Sequence, residues 1–327
     1  MKRKPSILFA MGAAALLPLT ACGNTGESAD SDTAQASSGE LTEITVGIIP
    51  IAHASIVPYG VEHGIFEEHG LDVNLEIGQG GAAMLPALQN EQIDFVIGNA
   101  ATVIQAVDQG MDMRVVAGFA NSLEEGYDVD GVLVRSDEGI DTWADLEDKT
   151  VAVNALRGQG DLTIMESVEA DGGDPAAVDF VEVNFPDMQP QLEVGNVDAI
   201  WAPEPFQRTA EETDGIDMLG HPNQIIPGLP TVVSFSTGKN VEANPETIEK
   251  YQAAMADLVE QCVNDDGGPT QAVMDFMDVS EEVAETTLFL DEYDSTIRTE
   301  QLTQLADIMA KYGFIEESPI TEEFFVE

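Results

Sequence analysis

The fold is decided by the stretch VDAIWAPEPF, residues 197–206. This pattern predicts a short buried strand that stops at Pro203 and Pro205, because proline cannot donate to a strand ladder. Trp201 and Glu204 stand where the strand stops, and in open α/β sheets ligands bind at the carboxyl ends of the strands. The stretch therefore predicts an α/β protein with a binding site beside these two side chains.

An earlier segment, residues 84–94, has the same layout as residues 188–198. Met, Pro, Leu and Asp recur at equivalent spacing in both, and each segment predicts the end of a helix running into a strand. Strands alternate with helices through most of the chain, which indicates βαβ units and mostly parallel sheets. We therefore expect two related α/β lobes whose strand ends face each other.

The charge balance is strongly acidic, with 12 Lys and Arg against 61 Asp and Glu and a net charge of -49 in 327 residues. Such a chain repels nucleic acid and anionic membrane surfaces, so neither is an expected partner. The acidic residues are spread through periodic segments, which favours a solvated acidic surface suited to a salty medium over disorder.

The N-terminus has the pattern of a secretion signal. Lys2, Arg3 and Lys4 precede the apolar residues 7–19, which are too few to span a bilayer comfortably. The following Leu-Thr-Ala-Cys ends at Cys22 and resembles the lipobox of bacterial lipoproteins; a plain secretory signal is the alternative. We expect a signal peptide over 1–21, lipidation of Cys22 as the sole membrane anchor, and a flexible tether over 22–40.

The domain organisation follows from the order of predicted elements. We expect lobe 1 to comprise residues 41–134 and 232–327, including a helical C-terminal part, and lobe 2 to comprise residues 135–231. A strand near residues 231–236 predicts the return to lobe 1. Two crossings of the chain between the lobes would form a hinge.

Several short motifs carry a family resemblance: GIFEEHGLDV at 64–73, LEDKTVAV at 146–153, GNVDA at 195–199 and EPF at 204–206. In this order and spacing the chain resembles the NitT/TauT family of substrate-binding lipoproteins of ABC importers. The resemblance implies a type II periplasmic-binding-protein fold and an extracytoplasmic, lipid-anchored monomer. It also implies permease and ATPase subunits as partners, and a ligand among nitrate, taurine, sulfonates and thiamine precursors.

Candidate ligand-binding residues are those that follow predicted strands or begin predicted helices. Arg157 lies in a Gly-rich loop before a helix, where an anion is favoured; a salt bridge is the alternative. Trp201 would stack on a ligand or pack between lobes, and Glu204 would contact the ligand or brace the cleft. The remaining candidates supply backbone or neutral polar contacts, with local capping as the alternative: His53, Gln79, Gly80, Gly81, Asn99, Thr102, Asn121, Asn154 and Asn184.

These residues favour a binding protein with no cofactor, since the histidine spacing matches no zinc site and no nucleophile motif is present. Arg157 and the helix openings favour a small anionic ligand of the sulfonate, taurine or nitrate kind. The negative overall field favours a neutral or cationic one with Trp201 and Glu204 as partners. Short-range contacts in a closed cleft outweigh a screened distant field, so we expect the small anionic ligand. A pyrimidine or thiamine-precursor binder, an enzyme on the same fold, and a sensory or adhesive lipoprotein remain alternatives.

Overall fold

The computed structural model describes residues 41–265, 267–287 and 293–326. The predicted signal peptide 1–21, the lipidation of Cys22 and the tether 22–40 lie outside the described residues. None of the helices in the described part of the chain combines the length and apolar character that crossing a membrane requires.

Two five-stranded sheets organise the described residues. Their strands are β1 (Thr42–Ile48), β2 (Leu71–Ile77), β3 (Phe95–Asn99), β4 (Met113–Asn121), β5 (Asp130–Arg135), β6 (Thr150–Val153), β7 (Asp179–Glu182), β8 (Ala199–Pro203), β9 (Ile216–Gly220) and β10 (Pro230–Thr237). The first sheet has the order β2-β1-β3-β10-β4 and the second has the order β7-β6-β8-β5-β9. In each sheet three neighbouring strands are parallel and the fourth is antiparallel to both of its neighbours. The identical pattern confirms two doubly wound lobes.

Helices cover these sheets. They are α1 (Ile56–Glu62), α2 (Ile65–Glu68), α3 (Gly81–Gln89), α4 (Ala100–Asp108), α5 (Gln159–Ala170), α6 (Phe185–Glu193), α7 (Phe206–Glu211), α8 (Gly238–Ala243), α9 (Pro245–Asn264), α10 (Gly268–Met277), α11 (Glu281–Thr287) and α12 (Thr299–Lys311). Helix α12 buries Leu302, Leu305, Ala306 and Met309, the spacing of one helix face, in the core of the first sheet. Burial of each larger apolar side chain contributes about 1.5–3 kcal/mol, so α12 is fixed to the first sheet. The helical C-terminal part thus packs on lobe 1, as predicted.

In each sheet, the strand that is antiparallel to its neighbours is reached by a segment of chain that crosses from the other sheet. Residues 122–129 lead from β4 into β5 of the second sheet, and residues 221–229 lead from β9 back into β10 of the first. We therefore define lobe 1 as the described residues within 41–121 and 230–326, and lobe 2 as residues 130–220. The predicted boundary at 134/135 was wrong for β5, because Asp130–Arg135 pairs with β8 and β9. A buried strand has the same sequence pattern in either sheet.

The two crossings run side by side. The Ser122 amide donates to the Leu229 carbonyl at 2.7 Å, and the Gln224 side chain donates to the Gly126 carbonyl at 3.0 Å. A nitrogen of His221 lies 2.9 Å from the Asp130 carbonyl, so the second crossing is also tied to the start of β5. The connection between lobes is therefore a paired, hydrogen-bonded segment.

Candidate functional site

A cavity of about 250 Å³ lies between the lobes. The six parallel strands β1, β2, β3, β6, β7 and β8 all place residues at or just beyond their carboxyl ends on its wall. These strand-end residues are Ile49, Gln79, Asn99, Asn154, Glu182 and Pro203. Ligands bind at this edge of open α/β sheets. The cavity is therefore the candidate binding site.

Most of the predicted ligand residues lie on this wall. They are His53, Gln79, Gly80, Gly81, Asn99, Thr102, Asn154, Asn184 and Trp201. They come from both lobes, which agrees with the expectation that strand ends of the two lobes face one cleft. Three predicted residues, Asn121, Arg157 and Glu204, are not on the wall.

Arg157 points away from the cavity. One of its guanidinium nitrogens, Nη2, donates to the Gly313 carbonyl at 2.6 Å, and the guanidinium lies 5.1 Å from the centre of the Phe314 ring. Both partners follow α12 of lobe 1. The prediction correctly placed Arg157 in a loop before a helix, but the fold gives the side chain a protein partner.

Glu204 is buried beneath the cavity and braces the crossing. The Tyr127 hydroxyl and the Gln207 amide donate to its carboxyl at 3.3 and 3.1 Å, and the Arg208 amide donates at 3.2 Å. Burial raises its pKa to about 7, although these hydrogen bonds act in the opposite direction. The Glu204 carbonyl also accepts from the Ala52 amide of lobe 1 at 3.2 Å. Of the two roles considered for Glu204, the bracing one matches these contacts.

Asn121 ends β4 at the edge of the first sheet, opposite Pro230 of β10. It is buried there, at the start of the first crossing. Strand β10 lies between β4 and the parallel strands. The end of β4 therefore does not reach the cavity wall.

Two wall residues, Asp130 and Thr231, were not predicted as ligand residues, because they lie at the starts of strands. Strands β5 and β10 run antiparallel to their neighbours, so their amino ends face the cleft. Searching only the carboxyl ends of strands cannot find them. Gln159, Glu182 and Phe185 were also missed, although each adjoins a loop or strand end that the sequence indicated.

The charged groups of the wall are acidic. Asp130 is buried, accepts from the Asn223 amide at 2.8 Å, and has a pKa raised well above its usual value by burial and by the nearby Asp128. Burial lowers the pKa of His53 to about 3, so its imidazole is neutral. The described residues of the wall include Glu182 but no Lys or Arg. The site therefore offers carboxyl groups and neutral polar groups to a ligand.

Two buried donors on the wall have no partner among the described residues: the indole Nε1 of Trp201 and the amide Nε2 of Gln159. An unpaired buried donor costs about 1–3 kcal/mol, which a ligand acceptor atom would recover. The other amide atom of Gln159, Oε1, accepts from Asn99 of the opposite lobe at 2.9 Å. Helix α3 also begins at this wall with no side chain capping its N-terminus. The site thus offers a ligand the carboxyl oxygens of Asp130 as hydrogen-bond acceptors and the N–H groups of Trp201 and Gln159 as donors.

Trp201 packs directly on the first turn of α5. A Cβ built on Gly160 would lie 2.7 Å from two atoms of the indole ring, which is too close for any side chain. Phe185, which also lines the cavity, lies 6.1 Å from Trp201 between ring centres. These contacts fix the indole on the cavity wall and present an aromatic pair to the ligand.

Among the residues that the structure describes, no cluster of His, Cys, Asp or Glu side chains is arranged to hold an ion.

The two lobes, the paired crossings and the cleft define the periplasmic-binding-protein fold, and known structures share it. The periplasmic aliphatic sulphonate binding protein SsuA of Escherichia coli is similar with a TM-score of 0.71 and 17% identity, over 85% of this chain and 94% of that chain. The alkanesulfonate-binding protein SsuA of Xanthomonas axonopodis pv. citri, bound to MOPS, gives 0.74 and 15% over 88% and 99%. The nitrate-binding protein NrtA of Synechocystis PCC 6803 gives 0.69 and 14% over 84% and 83%.

Residues 52–267 match the family model described as NMT1/THI5 like. Because the match covers more than half of the chain, the protein belongs to this family. No curated protein matches the sequence.

Proposed function

We propose that the protein is the solute-binding component of an ABC importer, capturing a small molecule between its lobes and delivering it to a permease. The observation that carries this proposal is the cavity at the carboxyl ends of six parallel strands, walled by both lobes. The solved relatives are named as binding proteins for sulfonates and nitrate, which supports the same role here. Opening and closing about the two crossings would admit and retain the ligand.

The wall favours a ligand of zero or positive net charge over the simple anion suggested by Arg157. A sulfonate or nitrate ion would find no Lys or Arg among the described wall residues to pair with its charge, and it would share the cavity with the Glu182 carboxyl group. The ligand we propose donates hydrogens to Asp130, accepts from Trp201 and Gln159, and has a planar face for Trp201 and Phe185. Uncharged or protonated nitrogen heterocycles, including pyrimidines, have this chemistry.

A thermal-shift screen of the purified protein tests the proposal. The compounds are nitrate, alkanesulfonates, taurine and a set of pyrimidines that differ in charge. A ligand at a hundredfold excess over its dissociation constant should stabilise the protein by about 2.7 kcal/mol. Mass spectrometry of the incubated ligand should recover it unchanged, whereas its conversion would favour the enzyme alternative. Stabilisation by nitrate or sulfonates alone would contradict the proposed ligand class but not the binding function.

We propose that the protein works outside the cytoplasm, tethered by lipidated Cys22. If lipidated Cys22 anchors the protein, Cys22→Ala should release the protein or leave it unprocessed. Membrane fractionation of cells producing the variant, compared with Cys262→Ala as a control, checks this. Normal membrane retention of the Cys22 variant would contradict the anchor.

The acidic surface suggests function in a salty medium. With a net charge of -49, self-repulsion weakens as salt shortens the Debye length from about 10 Å at 0.1 M to about 3 Å at 1 M. Thermal melts in low and in molar KCl should therefore show a higher melting temperature in high salt. No gain would count against this adaptation.

A further inference from the structure

Besides the crossings and the interlobe hydrogen bonds of Asn99 and Ala52, the lobes meet where the end of α12 contacts helix α5. Helix α12 is fixed in the core of lobe 1, and α5 belongs to lobe 2, yet the two helices pack together. Leu162 of α5 is fully buried in the core of lobe 1. This contact joins the lobes through side chains beside the second crossing, where Thr163 of α5 donates to the Asn223 side chain at 3.3 Å.

The first polar part of the contact involves the last turn of α12. The Lys311 ammonium lies 2.6 Å from Glu166 and 3.1 Å from Glu169 of α5. The Tyr312 hydroxyl lies 2.7 and 2.6 Å from the same two carboxylates. One cation and one hydroxyl of lobe 1 therefore hold two carboxylates of lobe 2.

The second polar part involves Arg157 of lobe 2, which donates to the Gly313 carbonyl and stacks on Phe314. Gly313 has a left-handed φ of 69°, which lets the chain turn sharply after α12 and is favourable only for glycine. From lobe 1, the Gln105 side chain donates to the Arg157 carbonyl. Each lobe thus supplies donors and acceptors to the other.

The basic residues of this contact stand out because the chain has only 12 Lys and Arg. Other basic residues pair within one lobe, such as Lys239 with Glu91 and Lys250 with Glu246. Lys311 and Arg157 instead connect the two lobes. A motion that moves α5 away from α12 would break these interlobe contacts together.

We propose that Arg157, Lys311 and Tyr312 form an interlobe latch that stabilises the closed cleft. They are positioning residues, since they act on a ligand only through the position of the lobes. Several contacts of modest individual strength act together, because exposed ion pairs contribute about 0.2–1 kcal/mol each and hydrogen bonds to charged groups contribute more. The latch concerns opening, so it does not require that the ligand class proposed above be correct.

Acrylamide quenching of Trp201 fluorescence in the protein without added ligand tests the latch. Trp143→Phe leaves Trp201 as the sole tryptophan, because the chain has two. The indole is 4% exposed and lies on the cavity wall, so parting of the lobes should admit quencher to its cavity-facing side. In this background, Lys311→Met combined with Tyr312→Phe should raise the quenching constant at least about twofold.

Matched variants separate the latch from general charge or stability effects. Lys239→Met removes the same charge from a pair within lobe 1 and should leave the quenching constant unchanged. Lys311→Arg keeps the positive charge, so its quenching constant should stay close to that of the wild type. Urea unfolding confirms that each variant is folded under the quenching conditions. Equal quenching of the latch variant and the wild type would overturn the latch, while the ligand screen would still decide the binding function.

Discussion

Asp94 and Asp198 make the same pair of hydrogen bonds in the two lobes. The Asp94 carboxylate accepts from the Thr45 amide at 2.7 Å, and the Asp198 carboxylate accepts from the Thr150 amide at 2.8 Å. In return, the Asp94 amide donates to the Thr45 carbonyl and the Asp198 amide to the Thr150 carbonyl, each at 2.8 Å. Each aspartate therefore joins the start of one parallel strand to its neighbour. The repeated sequence segments thus have the same structural role in both lobes.

Asp94→Ala and Asp198→Ala should each lower the free energy of unfolding by about 1.5–3 kcal/mol, the range for a hydrogen bond to a charged group. Urea denaturation followed by circular dichroism measures both. Asp72→Ala, an exposed change on β2, is the control and should have a small effect. A large loss in one lobe with none in the other would contradict the equivalence.

Gly160→Ala should disturb the binding wall, because the added Cβ would lie 2.7 Å from the Trp201 ring. Overpacking of this kind costs about 1–3 kcal/mol and should displace the indole. The control Gly80→Ala adds a methyl group where no atom lies within 4 Å, so its unfolding free energy should stay near the wild type. Urea denaturation and Trp201 fluorescence in the Trp143→Phe background are the measurements. An unchanged emission maximum in Gly160→Ala would show that the indole is not packed on this helix turn.

Glu204 should make the protein more stable as the pH falls from 8 to 5. Burial raises its folded-state pKa from 4.5 to about 7, so its contribution is fully present below about 4.5 and is lost as the pH rises through about 7. A shift of this size corresponds to about 3 kcal/mol. Unfolding free energies of the wild type and Glu204→Gln, measured across this range, should converge at low pH and diverge at high pH, with the variant the more stable. Parallel curves would mean that Glu204 does not titrate in this range.

Asp130 should distinguish a cationic from an uncharged ligand. In the protein without ligand, burial and the nearby Asp128 raise the pKa of its carboxyl well above the usual value. A cation bound beside this carboxyl would lower its pKa and favour release of a proton, which calorimetry in two buffers of different ionisation enthalpy would detect. Asp130→Asn should then weaken binding of the identified ligand by about 1.5–3 kcal/mol.

An uncharged ligand would release no proton, and Asp130→Asn would have a smaller effect. Glu182→Gln, at the more exposed end of the wall, is the matched control and should matter less than Asp130→Asn in either case. Tighter binding by Asp130→Asn would show that the ligand brings negative charge to this carboxyl.

The sequence by itself determined the repeated α/β architecture and much of the binding wall. Strand ends are marked locally by prolines, glycines and small polar residues, so Gln79, Asn99, Asn154 and Trp201 were correctly expected on the wall. The return strand near 231–236 was also visible, because its apolar pattern stands between polar segments.

Only the tertiary structure decided which sheet receives β5 and where Arg157 and Glu204 point. A buried strand has the same pattern in any sheet, and the strand direction that puts Asp130 on the wall depends on pairing partners distant in sequence. Arg157 lies in a loop whose position suits an anion. Its side chain instead contacts Gly313 and Phe314, which are more than 150 residues away in the sequence. Long polar side chains bind the nearest available partner, and which partner is nearest is a property of the packed lobes.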